Sequence, residues 1–122
     1  MSYNWGPHYI VPTAALKTYS GPVKLRETFD EDLLHKELEQ CGLQGPILRV
    51  TNPWYYRKKN TDTWIKIGES DDKVENFAVR WDTTHLENGQ YEILGLMHVF
   101  VKKDNKVEGI ARQNIVEVTV EN

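Results

Sequence analysis

The spacing of hydrophobic residues along the chain changes once, from a helical period to a strict alternation. Leu34, Leu38 and Cys41 recur at the spacing of one helix face. Gly42 follows them, and glycine commonly ends a helix because it readily adopts the left-handed conformation there. We therefore predict one short helix near residues 31–41, with Cys41 as a small buried or half-buried group on it.

After this helix, apolar and polar residues alternate, which indicates β-strands. The predicted strands are 47–50, 54–59, 63–68, 76–82, 90–103 and 114–120. Asn88-Gly89 supplies the positive φ that a tight reversal needs, and Asp104-Asn105 is predicted to close the last hairpin. Two alternating apolar sets are expected to fill the core, because side chains on a strand alternate between its faces. These sets are Phe77, Val79 and Trp81, and Val116, Val118 and Val120.

The first part of the chain has a different character. Residues 1–22 contain three prolines and two glycines among aromatic residues, a composition typical of extended or turning backbone rather than helix. We expect an extended N-terminal arm over 1–22 that ends in an edge strand.

Length and charge limit the class of protein. The chain has 122 residues, which suits one domain with one core. The formal net charge is −3 and the basic residues are scattered among acids, so no basic stripe is present to bind phosphates. No stretch approaches the roughly 18 apolar residues that span a bilayer, and the N-terminus lacks the features of a secretion signal. We expect one domain over 1–122 that neither binds nucleic acid nor inserts into a membrane.

The segment from Trp81 to Tyr91 reads W-D-T-T-x-L-x-N-G-x-Y, and an alternating strand, a polar hairpin and a V-x-V-x-N ending follow it. This combination resembles the second half of the immunoglobulin-like and fibronectin-III-like modules of bacterial surface proteins and secreted enzymes. The resemblance covers about the last half of the chain, and the predicted helix departs from it. It implies an all-β, immunoglobulin-like sandwich with Tyr91 as a tyrosine corner, whose hydroxyl bonds to nearby backbone.

The sequence contains no arrangement typical of a catalytic or metal site. No zinc-ligand spacing relates the four histidines, which are His8, His35, His85 and His98. Acidic residues crowd residues 69–75 without the pattern of a calcium loop, so a solvated turn is favoured there. Asp82, Thr84 and His85 have the residue types of a nucleophile system, but they lie within one predicted turn. We expect no enzymatic activity, no metal and no cofactor.

Aromatic residues gather at a predicted hairpin. Trp54, Tyr56 and Trp64 form a candidate carbohydrate platform, because alternate strand side chains face outward and flat aromatic rows suit sugar rings. The alternative is that part of this set belongs to the core and the rest forms cross-strand pairs on a solvated hairpin.

The long strand over 90–103 is apolar on both faces. One face supplies enough side chains for the core, while the other carries Leu94, Leu96 and Phe100. Apolar stripes of this kind usually mark a covered surface. The cover is either the chain's own helix or arm, or another subunit or domain. We take these three residues, with Trp5 and Tyr9 of the arm, as a candidate protein interface.

These patterns lead to one leading hypothesis and one alternative. The leading hypothesis is a non-catalytic structural or protein-interaction module within a larger assembly, with a neighbouring domain, another subunit or a second copy as its partner. The alternative is a carbohydrate-binding module. Two settings fit the hypothesis: the cell surface or exterior, for a module cut from a secreted protein, and a virion or tail, for a free-standing decoration subunit.

Overall fold

The computed structural model describes residues 18–26, 31–43 and 45–122. Most of the predicted N-terminal arm, including Trp5 and Tyr9, lies outside these residues. The extended structure of that part of the arm, and its place in an interface, therefore stay predictions. The described end of the arm does form an edge strand, as expected.

Seven strands and one helix follow one another in the described residues. They are β1 (Thr18–Tyr19), β2 (Pro22–Leu25), α1 (Glu31–Gln40), β3 (Ile47–Lys58), β4 (Ile65–Ser70), β5 (Val79–Asp82), β6 (Gly89–Lys103) and β7 (Lys106–Val120). Several boundaries differ from the prediction, and the strand predicted over 63–68 runs from Ile65 to Ser70. The segments 47–50 and 54–59 are one strand, the strand predicted over 76–82 begins at Val79, and the last strand begins at Lys106 rather than at residue 114.

The strands form two sheets. The larger has the order β1-β7-β6-β3-β4, and the smaller contains β2 and β5. Neighbouring strands are antiparallel except β1 and β7, which are parallel. The prediction of an all-β sandwich with one short helix is confirmed. We call the face of the larger sheet that packs against β2, β5 and α1 the inner face, and the opposite face the outer face.

The inner face carries two adjoining clusters of buried side chains. One lies under the smaller sheet, and its members are Tyr19, Val23, Leu25, Trp54, Trp81, Tyr91, Ile93, Val118 and Val120. The other lies under the helix, and its members are Leu34, Leu38, Phe77, Met97, Val99 and Val101. Strand β6 contributes to both clusters, so a single strand runs beneath both parts of the covering layer.

The helix ends as its sequence predicts. The N–H of Leu43 donates to the carbonyl of Leu38, and the N–H of Gly42 donates to that of Glu39, while Gly42 has a φ of +73°. This pattern is a Schellman motif, in which the left-handed residue satisfies carbonyls at the helix end. Cys41, however, is exposed, because the chain has already left the buried face of the helix at that position. No helix in the described ranges has the length and hydrophobicity needed to cross a membrane.

The predicted reversals of the long hairpins are also present. Asp104 and Asn105 have φ values of +50° and +63°, which are the values of a type I′ turn, and this turn joins β6 to β7. Gly89 has a φ of +149°, as the turn before β6 was predicted to require. Local turn chemistry therefore accounts for where these strands begin and end.

Phe77 does not lie on a strand, contrary to the prediction that it shares a face with Val79 and Trp81. Asn76 and Phe77 both have a φ of +55°, and the N–H of Phe77 donates to the carbonyl of Asp72 at 2.9 Å. This tight loop turns the Phe77 side chain into the cluster under the helix. Trp81 stays in the other cluster, so the two residues fill different parts of the core.

One buried hydrogen bond joins the two clusters. The indole N–H of Trp54 donates to the carbonyl of Phe77 at 2.9 Å, and both side chains have no exposed surface. A buried carbonyl needs a donor, because it has lost its water. Trp54 therefore holds the Phe77 loop against the centre of the sheet.

The tyrosine corner implied by the resemblance is present in the geometry. The hydroxyl of Tyr91 donates to the carbonyl of Glu87 at 2.7 Å, and its ring packs in the core 6.4 Å from the ring of Trp81. Burial raises the pKa of Tyr91. Asn122 adds a second tie at this end of the sandwich: its side chain accepts from the N–H of Gly21 and donates to the carbonyl of Thr83.

We expect Trp54→Phe to lower the free energy of unfolding more than Trp81→Phe, by about 1 kcal/mol, which is the usual net value of one hydrogen bond. Both substitutions remove the same atoms from a buried site, but the indole of Trp81 makes no hydrogen bond within the described residues. Denaturant unfolding of both variants measures the difference. Equal losses would show that the Trp54 hydrogen bond contributes nothing to stability.

Tyr91→Phe is expected to cost about 1 kcal/mol for the same physical reason, because it removes only the hydroxyl that reaches Glu87. Tyr56→Phe is the matched control, since Tyr56 packs on the same cluster and its hydroxyl has no hydrogen bond in the described part of the chain. Thermal unfolding of the two variants decides the matter, and a Tyr91→Phe protein as stable as the control contradicts the corner's role.

Candidate functional site

The candidate interface on β6 lies on the outer face, as predicted. Tyr91, Ile93, Met97, Val99 and Val101 are buried on the inner face, and the residues between them alternate to the other side. Those outer residues include Leu94, Leu96 and Phe100. Leu94 is 8% exposed, whereas Leu96 and Phe100 are half-buried.

Neighbouring strands extend this outer stripe sideways. Leu94 lies between Tyr55 of β3 and Ile115 of β7, and Ile115 is 44% exposed. Leu96 lies opposite Gln113, whose side chain is exposed. The flat packing of cross-strand neighbours thus accounts for part of the burial of the stripe.

The helix does not cover the outer stripe. The buried residues of α1, Leu34 and Leu38, pack with Met97, Val99 and Val101, which all lie on the inner face. The helix is therefore excluded as the cover. The remaining covers are the part of the arm outside the described residues and another protein.

The outer face ends in an apolar depression of about 270 Å³ between β3 and the hairpin of β6 and β7. Leu48, Arg49, Phe100 and Val107 line it, with Leu48 50% exposed and Val107 65% exposed. The guanidinium of Arg49 lies 5.3 Å from the centre of the Phe100 ring, a cation–π contact. The same ring packs on the backbone of Gly109 on the opposite strand.

Leu48 and Val107 were not expected from the sequence to lie on this surface. Leu48 lies where the register between β3 and β6 shifts, between Ile47 and Arg49, and no local pattern indicates such a bulge. Val107 lies in the part of β7 for which the sequence pattern predicted no strand. The alternation of apolar and polar residues around Val107 and Ile110 is too weak to signal it.

Ion pairs frame the other end of the outer face. Arg57 and Glu92 lie on opposite strands with their side-chain atoms 2.9 Å apart, and Lys59 pairs with Glu117 at 2.9 Å. The Arg57–Glu92 pair is half-buried, whereas the Lys59–Glu117 pair is exposed and adds little stability, since solvent screens it. They do place charged groups at the border of the apolar stripe, so the outer face combines an apolar centre with a polar border.

The candidate carbohydrate platform is not present in the geometry. Trp54 is fully buried, and Tyr56 packs its ring 5.3 Å from that of Trp81 in the core. Trp64 is half-buried, and the guanidinium of Arg57 lies over its ring at 4.2 Å. Trp54 and Tyr56 face inward because they alternate with Tyr55, which takes the outer face. The structure therefore supports the alternative left open by the sequence, in which part of this set belongs to the core.

The acidic loop around residues 69–75 is organised as a turn. The carboxylate of Asp72 accepts from the backbone N–H groups of Val74 and Glu75 at 3.0 and 3.3 Å. Lys73 reaches Glu31 on the helix at 2.8 Å, which ties the loop to α1. In the part of the chain that the structure describes, no cluster of histidine, cysteine or acidic residues could hold a metal ion.

The residues with nucleophile-system types form a second turn. Thr84 donates both its N–H and its hydroxyl to the carboxylate of Asp82. Both hydrogen bonds lower the pKa of Asp82, and the bond from the Thr84 hydroxyl has the larger effect. The neighbouring Thr83 is buried and donates its hydroxyl to the carbonyl of Gly21 at 2.7 Å. The arrangement joins the turn before β6 to the turn before β2.

The fold places this chain in the class of all-β sandwich proteins, here with an apolar stripe on the outer face of the larger sheet. In comparisons with known proteins, no family model, no curated protein and no solved structure matches the chain. The resemblance to immunoglobulin-like and fibronectin-III-like modules thus stays a prediction.

Proposed function

We propose that this chain is a non-catalytic structural or protein-interaction module that docks a partner protein on the outer face of its larger sheet. The observation that carries the proposal is that β6 has apolar side chains on both of its faces. Its inner residues fill both core clusters, while Leu94, Leu96 and Phe100 form a second apolar stripe on the other side. Core formation alone does not require that second stripe.

The composition of the outer face favours a protein as the partner. Protein interfaces typically have an apolar centre with aromatic and arginine residues, surrounded by a polar border. Here Phe100 and Arg49 lie in contact at one end of the stripe, and the Arg57–Glu92 pair lies at the other. Covering the exposed parts of Leu48 and Val107 as well would add apolar burial, which favours association.

Strand order supports an immunoglobulin-like type. In such sandwiches the strands named C, F and G lie side by side, and the tyrosine corner stands near the start of strand F. Here β3, β6 and β7 are neighbours in the larger sheet, and Tyr91 stands near the start of β6. On this assignment, β2 and β5 take the places of strands B and E in the opposite sheet.

The non-catalytic part of the proposal is supported by the roles of the candidate reactive groups. Asp82 and Thr84 are engaged with one another in a turn, and the buried hydroxyl of Tyr91 is engaged with the backbone. The oxygen atoms that could take part in catalysis are therefore already hydrogen-bonded within the protein.

The proposal is tested with Leu96→Lys, which places a charge in the middle of the outer stripe. We expect this variant to stay folded, with its unfolding free energy changed by less than about 1 kcal/mol, since surface changes usually have small effects. It should bind less of an apolar fluorescent dye and associate less through this face at high concentration. Gln113→Lys is the matched control, because Gln113 lies directly opposite Leu96 and is already polar and exposed.

Light scattering, dye titration and denaturant unfolding of the two variants and the wild type give the answer. Unfolding of Leu96→Lys, together with a wild type that stays monomeric at all concentrations, would mean that the same chain covers the stripe. That result would refute the docking role.

A further inference from the structure

One side of β7 pairs with β6, and the other side is an edge of the larger sheet. Within the described residues, this edge is a long row of backbone groups with little cover. β7 pairs with β6 along its whole length without a register shift. On its other side, within the described residues, only Thr18 and Tyr19 pair with it, opposite Thr119 and Val120. Among the described residues, nothing pairs with residues 106–118 on this side, so this edge can accept another strand.

This edge lacks two of the features by which edge strands avoid pairing, a proline and a bulge, although it does carry charged residues. The opposite edge of the sheet is different: β4 has six residues, and its ladder with β3 shifts register between Trp54 and Tyr55. Gly68 of β4 also lies close to the side chain of Val79 in the smaller sheet.

The charges on β7 are arranged symmetrically about Ile110. Glu108 and Arg112 stand two residues before and two residues after it, so all three lie on the same face of the strand. Neither charged residue has an ion-pair partner within the described ranges. Unpaired opposite charges at equal distances from one residue are self-complementary under a two-fold rotation.

We propose that two copies of this chain pair antiparallel along the β7 edge, about a two-fold axis that passes between their Ile110 residues. In this register Glu108 of each copy lies opposite Arg112 of the other, which gives two ion pairs across the seam. The two-fold axis is perpendicular to the sheet. The inner faces of the two copies therefore lie on the same side of the joined sheet, and the alternation of the side chains is preserved. The inference goes beyond the docking role, because it uses the edge of the sheet rather than its outer face.

The covering layer leaves room for this pairing. The helix packs over Met97, Val99 and Val101 of β6, one strand in from the edge. The two β6 strands of the pair would be three strand spacings apart, about 14 Å. That distance exceeds the diameter of a helix with its side chains, about 10–12 Å, so the two helices do not collide.

Neighbouring registers are less favourable. Centring the pair on Arg112 brings two guanidinium groups face to face, and like charges opposite one another are destabilising. Centring it on Ala111 places Arg112 opposite Ile110 and leaves Glu108 without an opposite charge. The charge pattern therefore selects the register centred on Ile110.

The test is a charge exchange measured by sedimentation equilibrium over a range of protein concentrations. The wild type should dimerise. Glu108→Arg and Arg112→Glu should each weaken the dimer by about tenfold or more, because each substitution turns both opposite-charge pairs into like-charge pairs. The double variant Glu108→Arg/Arg112→Glu should recover the wild-type affinity, and an equimolar mixture of the two single variants should form a mixed dimer.

Lys36→Glu is the matched control, because it reverses a charge on an exposed residue of α1, away from the edge. It should dimerise like the wild type. Recovery by the double variant separates a specific pairing from a loss of folding, since a misfolded single variant would not be repaired by a second charge reversal.

A wild type that stays monomeric overturns the proposal, and so does a dimer whose affinity is unchanged by the single charge reversals. A dimer that Leu96→Lys dissociates and Arg112→Glu does not would also overturn it, and would instead support docking through the outer face. The two proposals thus fail through different variants.

Discussion

The hydrogen bond from the Trp54 indole to the Phe77 carbonyl is the constraint on which the two-part core depends. Trp54 belongs to the cluster under the smaller sheet, and Phe77 belongs to the cluster under the helix. Phe77 has a left-handed backbone conformation, which is uncommon for a bulky residue and needs support from its surroundings. Because Trp54 stands in the middle of the larger sheet, its indole fixes this loop at the junction of the two clusters.

This arrangement determines which surfaces remain for partners. The smaller sheet and the helix share the inner face of β6, so the apolar side chains on its other side must be covered from outside that layer. The outer stripe therefore behaves as a surface separate from the core, with Phe100 and the exposed Leu48 at one end. The β7 edge is a third region, where unpaired backbone N–H and C=O groups, rather than apolar side chains, are available to bind another strand.

Much of the local structure was predictable because it depends on residues close in sequence. Gly42 ends the helix, Asp104-Asn105 makes the turn before β7, and Tyr91 bonds to the backbone four residues before it. The phase of β6 was also correct, since the face with Tyr91, Ile93, Met97 and Val99 carries more apolar residues than the face with Leu94, Leu96 and Phe100. For the same reason, the outward position of Leu96 could be predicted.

The sequence by itself thus determined the all-β class, the short helix, the turn at Asp104-Asn105 and the apolar stripe on the outer side of β6. Only the tertiary structure decided that β3 continues through Pro53. Pro53 has no paired residue in β6, but the residues on either side of it, Thr51 and Trp54, pair with β6 in the same register. Only it turned Trp54 inward, which excludes the aromatic platform, and only it removed Phe77 from a strand. These features depend on contacts between residues distant in the chain, such as the Trp54–Phe77 bond across 23 positions, and no local pattern encodes them.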